Sequence, residues 1–318
     1  MKVTEHIQTA KGKTLFSFEI LPPLKGQNIQ TIFDSIDPLM EFKPPFIDVT
    51  YHREEYDYKE LANGLLEKRI VRKRPGTVGI CAAIQNKYEV DAIPHVLCGG
   101  FTKEDTENFL IDMGFLGIDN VVALRGDAVK SETYFKPEPT GNAFAVDLVR
   151  QIDEMNHGVY LDEDLKNSTQ TDFCIGVAGY PEKHMEAHNM ESDIHFLKKK
   201  IEAGADYVVT QMFFDNSKFF AFVDSCRKAG IEVPIIPGLK PLATQKQLNL
   251  IPHRFHVDLP EALIKEVIKA KSKESIRQVG IDWCIAQSKE LIAAGVPFLH
   301  YYSMGKSDNI HKVATAIF

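Results

Sequence analysis

The chain has 318 residues, 44% of them hydrophobic and 25% charged, with a formal net charge of −7. That balance excludes a disordered or low-complexity chain, and its acidic sign argues against a nucleic-acid partner, which needs a cationic face. Five cysteines without a CxxC pair suggest neither a zinc site nor a disulfide framework, and no segment approaches the ~20 apolar residues of a membrane span, so a cytoplasmic, reducing setting is expected.

In chain order, eight short apolar runs read as strands: Leu15 to Ile20, Phe46 to Thr50, Ile93 to Cys98, Asn120 to Arg125, Phe173 to Ala178, Tyr207 to Gln211, Val233 to Pro237 and Pro297 to Tyr302. At or just past their ends stand Glu19, Thr50 with Tyr51, His95, Arg125 with Asp127, Tyr180, Gln211, Pro237 and Tyr301. Helix-like segments separate most of the runs, and Gly117, Gly204, Gly230 and Gly295 each stop a helix just before a strand begins. Thr102 to Leu116 reads as one such helix, capped by Thr102 and Asp105, with Phe109, Leu110, Met113 and Leu116 on one face. A second lies near Phe144 to Met155, inside an expansion from Ala128 to Asp172 that is expected near the functional end.

A ninth run, Val78 to Ile84, competes with the His95 run for the third strand. We assign that strand to the His95 run, whose end carries side-chain chemistry, and expect Val78 to Ile84 in an inserted hairpin or an edge. Strands alternating with helices over residues 1–318 predict a single α/β domain, a (β/α)8 TIM barrel with inserted loops and extra helices. In such a barrel every strand end opens on one mouth, so the scattered residues converge on a single site.

Glu19 in LFSFEILPP is a carboxylate at the end of an apolar strand, where desolvation raises its pKa toward a value useful to a general acid; a rim salt bridge is the alternative. In ALRGD, Gly126 lets the backbone approach a planar ligand and Asp127 offers a hydrogen-bond acceptor; a turn salt bridge with Arg125 is the plainer reading. His95 reads first as a satisfied core histidine. Tyr180 and His184 present two rings at the mouth, one or two of Lys198, Lys199 and Lys200 can reach a diphosphate, and the Gln211 amide suits a heterocycle with mixed edges. No GxGxxG follows a strand, so any nucleotide cofactor is held by the barrel mouth itself.

Taken in order, FEILPP, FIDVTY, IPHVLC, NVVALRGD, AGYPEKH, IEAGADYVVTQMFFD, IIPGLKP and LHYYSMGK resemble the methylenetetrahydrofolate reductases, over nearly the whole chain from Phe16 to Lys306. The resemblance implies a flavoenzyme that takes hydride from NADH or NADPH onto FAD and passes it to 5,10-methylenetetrahydrofolate in ping-pong order. By position it implies Glu19 as general acid and Asp127 as the carboxylate beside flavin and pterin. The FAD contacts it implies are Thr50, Tyr51, His95, Leu124, Arg125, Gly126, Asp127, Ala145, Tyr180, His184, Asp193, Lys199 and Lys200. Folate contacts fall on Glu19, Asp127, Gln211, Gln247, Tyr301 and Lys306, and no metal is implied. Phe144 stands where the family frequently has Tyr, Lys306 where it commonly has Arg, and Leu250-Ile251 where other members stack a Phe. Phe196 and Lys199 likewise replace an asparagine and an arginine. Control by S-adenosylmethionine is not expected; a homo-oligomer is. The competing readings are a proline-oxidising flavin barrel and a folate-binding barrel without catalysis.

Overall fold

The strands of this chain are covered on both faces, which is why they read as continuous apolar runs rather than as alternations. The computed structural model describes residues 1–318 apart from 54, 72–73 and 129–131, and side chains apart from those at 55, 56, 70 and 71. Eight barrel strands follow in order: β1 Leu15–Ile20, β2 Phe46–Val49, β3 Asp91–Leu97, β4 Asn120–Leu124, β5 Cys174–Gly179, β6 Tyr207–Thr210, β7 in two pieces, Ile235–Ile236 and Gly238–Leu239, and β8 Phe298–Tyr302. All neighbours pair in parallel, and β8 pairs with β1 from Leu15↔Phe298 to Glu19↔Tyr302, which closes the ring. The split in β7 falls at Pro237, which has no N–H to give. Before it the strand pairs with β6, after it with β8, and His300 N–H donates to the Pro237 carbonyl at 3.1 Å.

The assignment of the His95 run to the third strand holds, but Val78 to Ile84 is neither hairpin nor edge. It lies in a helix, Thr77–Tyr88, whose buried residues Thr77, Ile80, Cys81 and Ile84 keep helical spacing. The hairpin is elsewhere, an antiparallel pair of Glu55–Glu60 and Leu66–Val71 turning at Asn63-Gly64, inserted directly after β2. Gly117, Gly204, Gly230 and Gly295 all have positive φ, the conformation that ends a helix at no Cβ cost. Thr102 and Asp105 form the expected reciprocal cap of the helix Lys103–Phe115, with Phe109, Leu110 and Met113 buried. Leu116 lies past the helix end and is exposed. The helix Ala145–Asn156 matches the one expected in the Ala128 to Asp172 expansion.

Two apolar layers result. Phe16, Phe18, Val49, Leu299 and Tyr301 face outward into the layer beneath the helices. Phe46, Ile93, Tyr207 and Phe298 fill the barrel interior together with Val3. Val3 comes from a short N-terminal helix, Val3–Thr9, that sits at the N-terminal ends of the strands: Val3 N–H donates to Asn120 Oδ1 at 2.8 Å and the Met1 ammonium reaches Asp91 at 3.0 Å. The interior is plugged at that end. No described helix is long and apolar enough to cross a membrane.

Candidate active site

Successive side chains of a strand point to opposite faces, so on β1 the outward Phe16, Phe18 and Ile20 force Ser17 and Glu19 into the barrel. Register then places Asp48 and Tyr302 beside Glu19 on its two neighbouring strands. Glu19 Oε2 lies 3.6 Å from His95 Nε2, which lies 3.7 Å from Asp48 Oδ2. Burial pushes the Glu19 carboxyl up to about 7; the facing His95 pulls it down, Asp48 adds to the rise and Lys240 opposes it. Burial would depress His95, but the carboxylates of Asp48 and Glu19 outweigh it and hold the imidazole above its ordinary value. Lys240, two residues past Gly238, is buried and pushed down to about 8, with Glu19 working against the fall. The carboxyl at the end of β1 is therefore desolvated, and His95 is its neighbour as well as a core residue.

Tyr302 closes this wall. Its hydroxyl donates to the Thr210 carbonyl at 2.5 Å, across the position of Gly238. A Cβ at Gly238 would stand 2.3 Å from that same carbonyl oxygen and 2.6 Å from the Tyr302 hydroxyl, so glycine is required for the approach. Tyr301, expected at the pocket, is turned the other way: it is fully buried in the outer layer, and its hydroxyl meets Ser288 Oγ at 2.8 Å on the helix Lys273–Ala293. Alternation along β8 explains the correction, since Phe18 pairs with Tyr301 and Glu19 with Tyr302. Gln211 follows Thr210 directly and its Oε1 accepts from Met212 N–H at 2.9 Å. Gln247 starts the helix Gln247–Phe255, where its Oε1 accepts from Ala243 and Thr244 N–H. A cavity of about 160 Å³ connects Gln247 with Lys240, Tyr302, Arg277 and the exposed Lys306.

A second group lies along the ends of β4 and β5. Arg125 does not pair with Asp127; it grips Glu186 with two bonds of 2.5 and 2.8 Å and lies over the Phe135 ring at 5.0 Å. Gly126 turns the chain with φ +84°, and Leu124 and the exposed Asp127 flank the turn. Tyr180 and His184 meet edge to face at 4.8 Å. The Asp193 carboxylate accepts from His184 N–H at 2.8 Å, and His184 Nδ1 accepts from Glu186 N–H at 3.2 Å, which leaves its Nε2 as the outward donor. Burial, then Arg125, lowers the His184 pKa and keeps the ring neutral. Lys200 donates to the Ala178 carbonyl at 2.7 Å, and burial pushes it down to about 8. Lys199 is exposed over the Phe196 ring at 5.3 Å. Thr50 caps the end of β1 by donating to the Ile20 carbonyl, Tyr51 packs edge to face on Phe101 at 5.0 Å, and Ala145 opens the helix Ala145–Asn156. Burial, with the nearby carboxylates, pushes the hydroxyls of Tyr180 and Tyr302 up, and Tyr180 lies close enough to Tyr302 to add to its rise, which links the two groups.

Asp48, Lys240 and Tyr302 had no place in the sequence reading. Lys240 and Tyr302 are recoverable by counting alternate residues along β7 and just past it, and along β8; Asp48 is recoverable in the same way from FIDV, where it alternates with the outward Ile47 and Val49. Ile251 is 1% exposed within an apolar cluster with Met212 and Phe214, so it cannot stack on a ligand. Phe144 is exposed.

A closed parallel barrel with an acid, amides and cations at its C-terminal mouth defines a barrel enzyme of the (β/α)8 class. The chain belongs to the methylenetetrahydrofolate reductase family, whose model matches residues 2–317. It is 30% identical over 313 residues to the 5,10-methylenetetrahydrofolate reductase of Salmonella typhimurium, covering 98% of this chain and 93% of that protein. It is 33% identical over 309 residues to methylenetetrahydrofolate reductase 1 of Schizosaccharomyces pombe, covering 96% of this chain but 46% of the relative. The chain thus spans about half the length of its eukaryotic relatives and nearly all of its bacterial ones. In structure it resembles a Clostridium thermocellum protein described as binding two copies of 5-methyl-5,6,7,8-tetrahydrofolic acid, with a TM-score of 0.62 and 15% identity over 99% of this chain and 98% of the other, a likeness of fold.

Proposed function

We propose that the protein reduces 5,10-methylenetetrahydrofolate to 5-methyltetrahydrofolate with NADH or NADPH as donor and FAD as the bound cofactor. The observation that carries this reading is Glu19, an inward carboxyl at the barrel mouth whose pKa near 7 lets it hold a proton at neutral pH. The second group suits a flavin nucleotide: Lys200 is a desolvated cation, His184 offers a free donor, and Gly126, lacking a Cβ, would let the backbone approach a planar ring. Bound FAD supplies the relay of hydride between nicotinamide and folate. Tyr180, His184, Asp193, Lys199 and Lys200 would hold it from one side, and Thr50, Tyr51, His95, Leu124, Arg125, Gly126, Asp127 and Ala145 from the other.

Glu19 then protonates the folate nitrogen that leaves when the five-membered ring opens, making the one-carbon unit an iminium able to accept hydride. The amides of Gln211 and Gln247 address the pterin edges, Asp127 its ring nitrogens, and Lys306 a carboxylate of the tail. Tyr302 takes the place first expected of Tyr301. A cytoplasmic location and assembly into homo-oligomers belong to the same proposal. The five cysteines are free and buried, as a reducing compartment permits. The test is anaerobic: NADH or NADPH should bleach the yellow protein, and methylenetetrahydrofolate should restore its colour. A protein that stays colourless after FAD is added, or that recolours with no folate, ends the reading.

A further inference from the structure

Asp48 has no task in the reaction described above, yet it is 2% exposed and surrounded by titratable groups. Its Oδ2 stands between two imidazoles, 3.7 Å from His95 Nε2 and 3.8 Å from His300 Nε2. His300 Nδ1 lies 3.0 Å from Ser17 Oγ, so its ring is fixed from behind. Asp48 Oδ1 and His300 Nε2 are both buried without a hydrogen-bond partner. A buried carboxylate is expensive unless compensated, and a buried group left open to its neighbours is a place where a proton is accommodated. From Asp48 the row runs through His95 to Glu19 at 3.6 Å and ends at the mouth. The groups that face it are Lys240 just past β7, Tyr302 from β8 and Tyr207 from β6, with Cys81 feeling Asp48 from the helix outside.

We propose that Asp48 is a positioning residue that keeps a proton on His95, as an internal store from which Glu19 is reprotonated in each cycle. The purpose of the proton rests on the reductase reading; its location does not. The Glu19 O–H bond breaks as the folate nitrogen takes the proton, leaving a carboxylate. That carboxylate takes the Nε2 proton of the His95 imidazolium, and the imidazole becomes neutral. One proton from solvent refills the pair when the mouth is open, matching the one proton consumed as the hydride from the nicotinamide reaches the folate carbon. Asp48 stabilises the charged ring from its place 3.7 Å from Nε2, while His300, fixed by Ser17, borders the carboxylate on its other side at 3.8 Å.

Asp48→Asn removes an anion from beside both proton sites, so the pair must lose its last proton more easily. The alkaline limb of the folate half-reaction, measured by stopped flow, should move down by about one pH unit or more, the usual effect of a nearby charge. The His95 ring titration, followed by nitrogen-15 NMR on the purified protein, should move in the same direction, which a merely structural role would not produce. An unmoved limb or an unmoved His95 titration overturns the proposal. If Asp48→Asn does not fold, Glu19→Gln decides the matter: with Asp48 in place, His95 should remain more than half protonated at about pH 6.5, the ordinary midpoint. A ring already neutral there overturns the store. A wild-type protein without folate turnover would overturn the reductase reading and the use of the proton, whereas the NMR titration answers separately where that proton resides.

Discussion

Glu19 faces opposed influences: burial keeps its proton on, while His95 and Lys240 favour its loss. The outcome near 7 makes its chemistry depend on pH across the physiological range. The folate step should therefore be fast below about pH 7 and fall as Glu19 loses its proton above it, an effect visible in single-turnover rates. Glu19→Gln should leave flavin reduction by the nicotinamide nearly intact and slow the folate step by ~10²-fold or more. Equal losses in both half-reactions would mean the side chain serves binding. The same shift has a sign for stability. Because the folded carboxyl holds its proton more tightly than the unfolded one, stability is lost as pH rises from the ordinary 4.5 toward 7 and stays lost above. Glu19→Gln should accordingly melt higher than the parent protein at pH 8, by ~2–4 °C for each kcal/mol relieved. A lower melting temperature would show that the carboxylate is better compensated than its neighbours suggest.

At the level of elements, β7 is the seam of the barrel, with Pro237 dividing it and Gly238 allowing Tyr302 to reach over to Thr210. Gly238→Ala sets a methyl against a backbone carbonyl at 2.3 Å, which cannot yield as a side chain would. We expect a loss of ~1–3 kcal/mol from overpacking, read as a lower denaturation midpoint, together with weakened folate binding where Tyr302 is displaced. An unchanged midpoint would mean that the seam can widen freely. The order of strands was legible because each is a short apolar run, and four of them, β4, β6, β7 and β8, follow a glycine that stops the preceding helix. The helix Thr77–Tyr88 was misread because an apolar run of that length fits either period; its spacing of buried residues at 77, 80, 81 and 84 is the discriminating signal. Glu19 was found because a lone carboxylate in an apolar strand is conspicuous. Tyr302 was exchanged for Tyr301 because two adjacent tyrosines differ only in which face they take, and that is settled by pairing with β1. The Arg125–Glu186 pair joins residues 61 apart and leaves no local trace.

For the molecule as a whole, the barrel is held at its closed end by the helix Val3–Thr9. Val3 is fully buried, and the helix is tied to β3 and β4 through Asp91 and Asn120. Removing residues 1–9 should lower stability by at least the ~1.5–3 kcal/mol of burying one aliphatic side chain, and so lower the melting temperature by several degrees. The pH limb set by Glu19 should not move, because that residue stands at the other end. A shifted limb would show that the two ends are coupled through the interior. Because that far end is stoppered and the interior is packed, ligands can reach the barrel from one side only. In the proposed reaction donor and acceptor would share that threshold, an arrangement that suits one leaving before the other arrives.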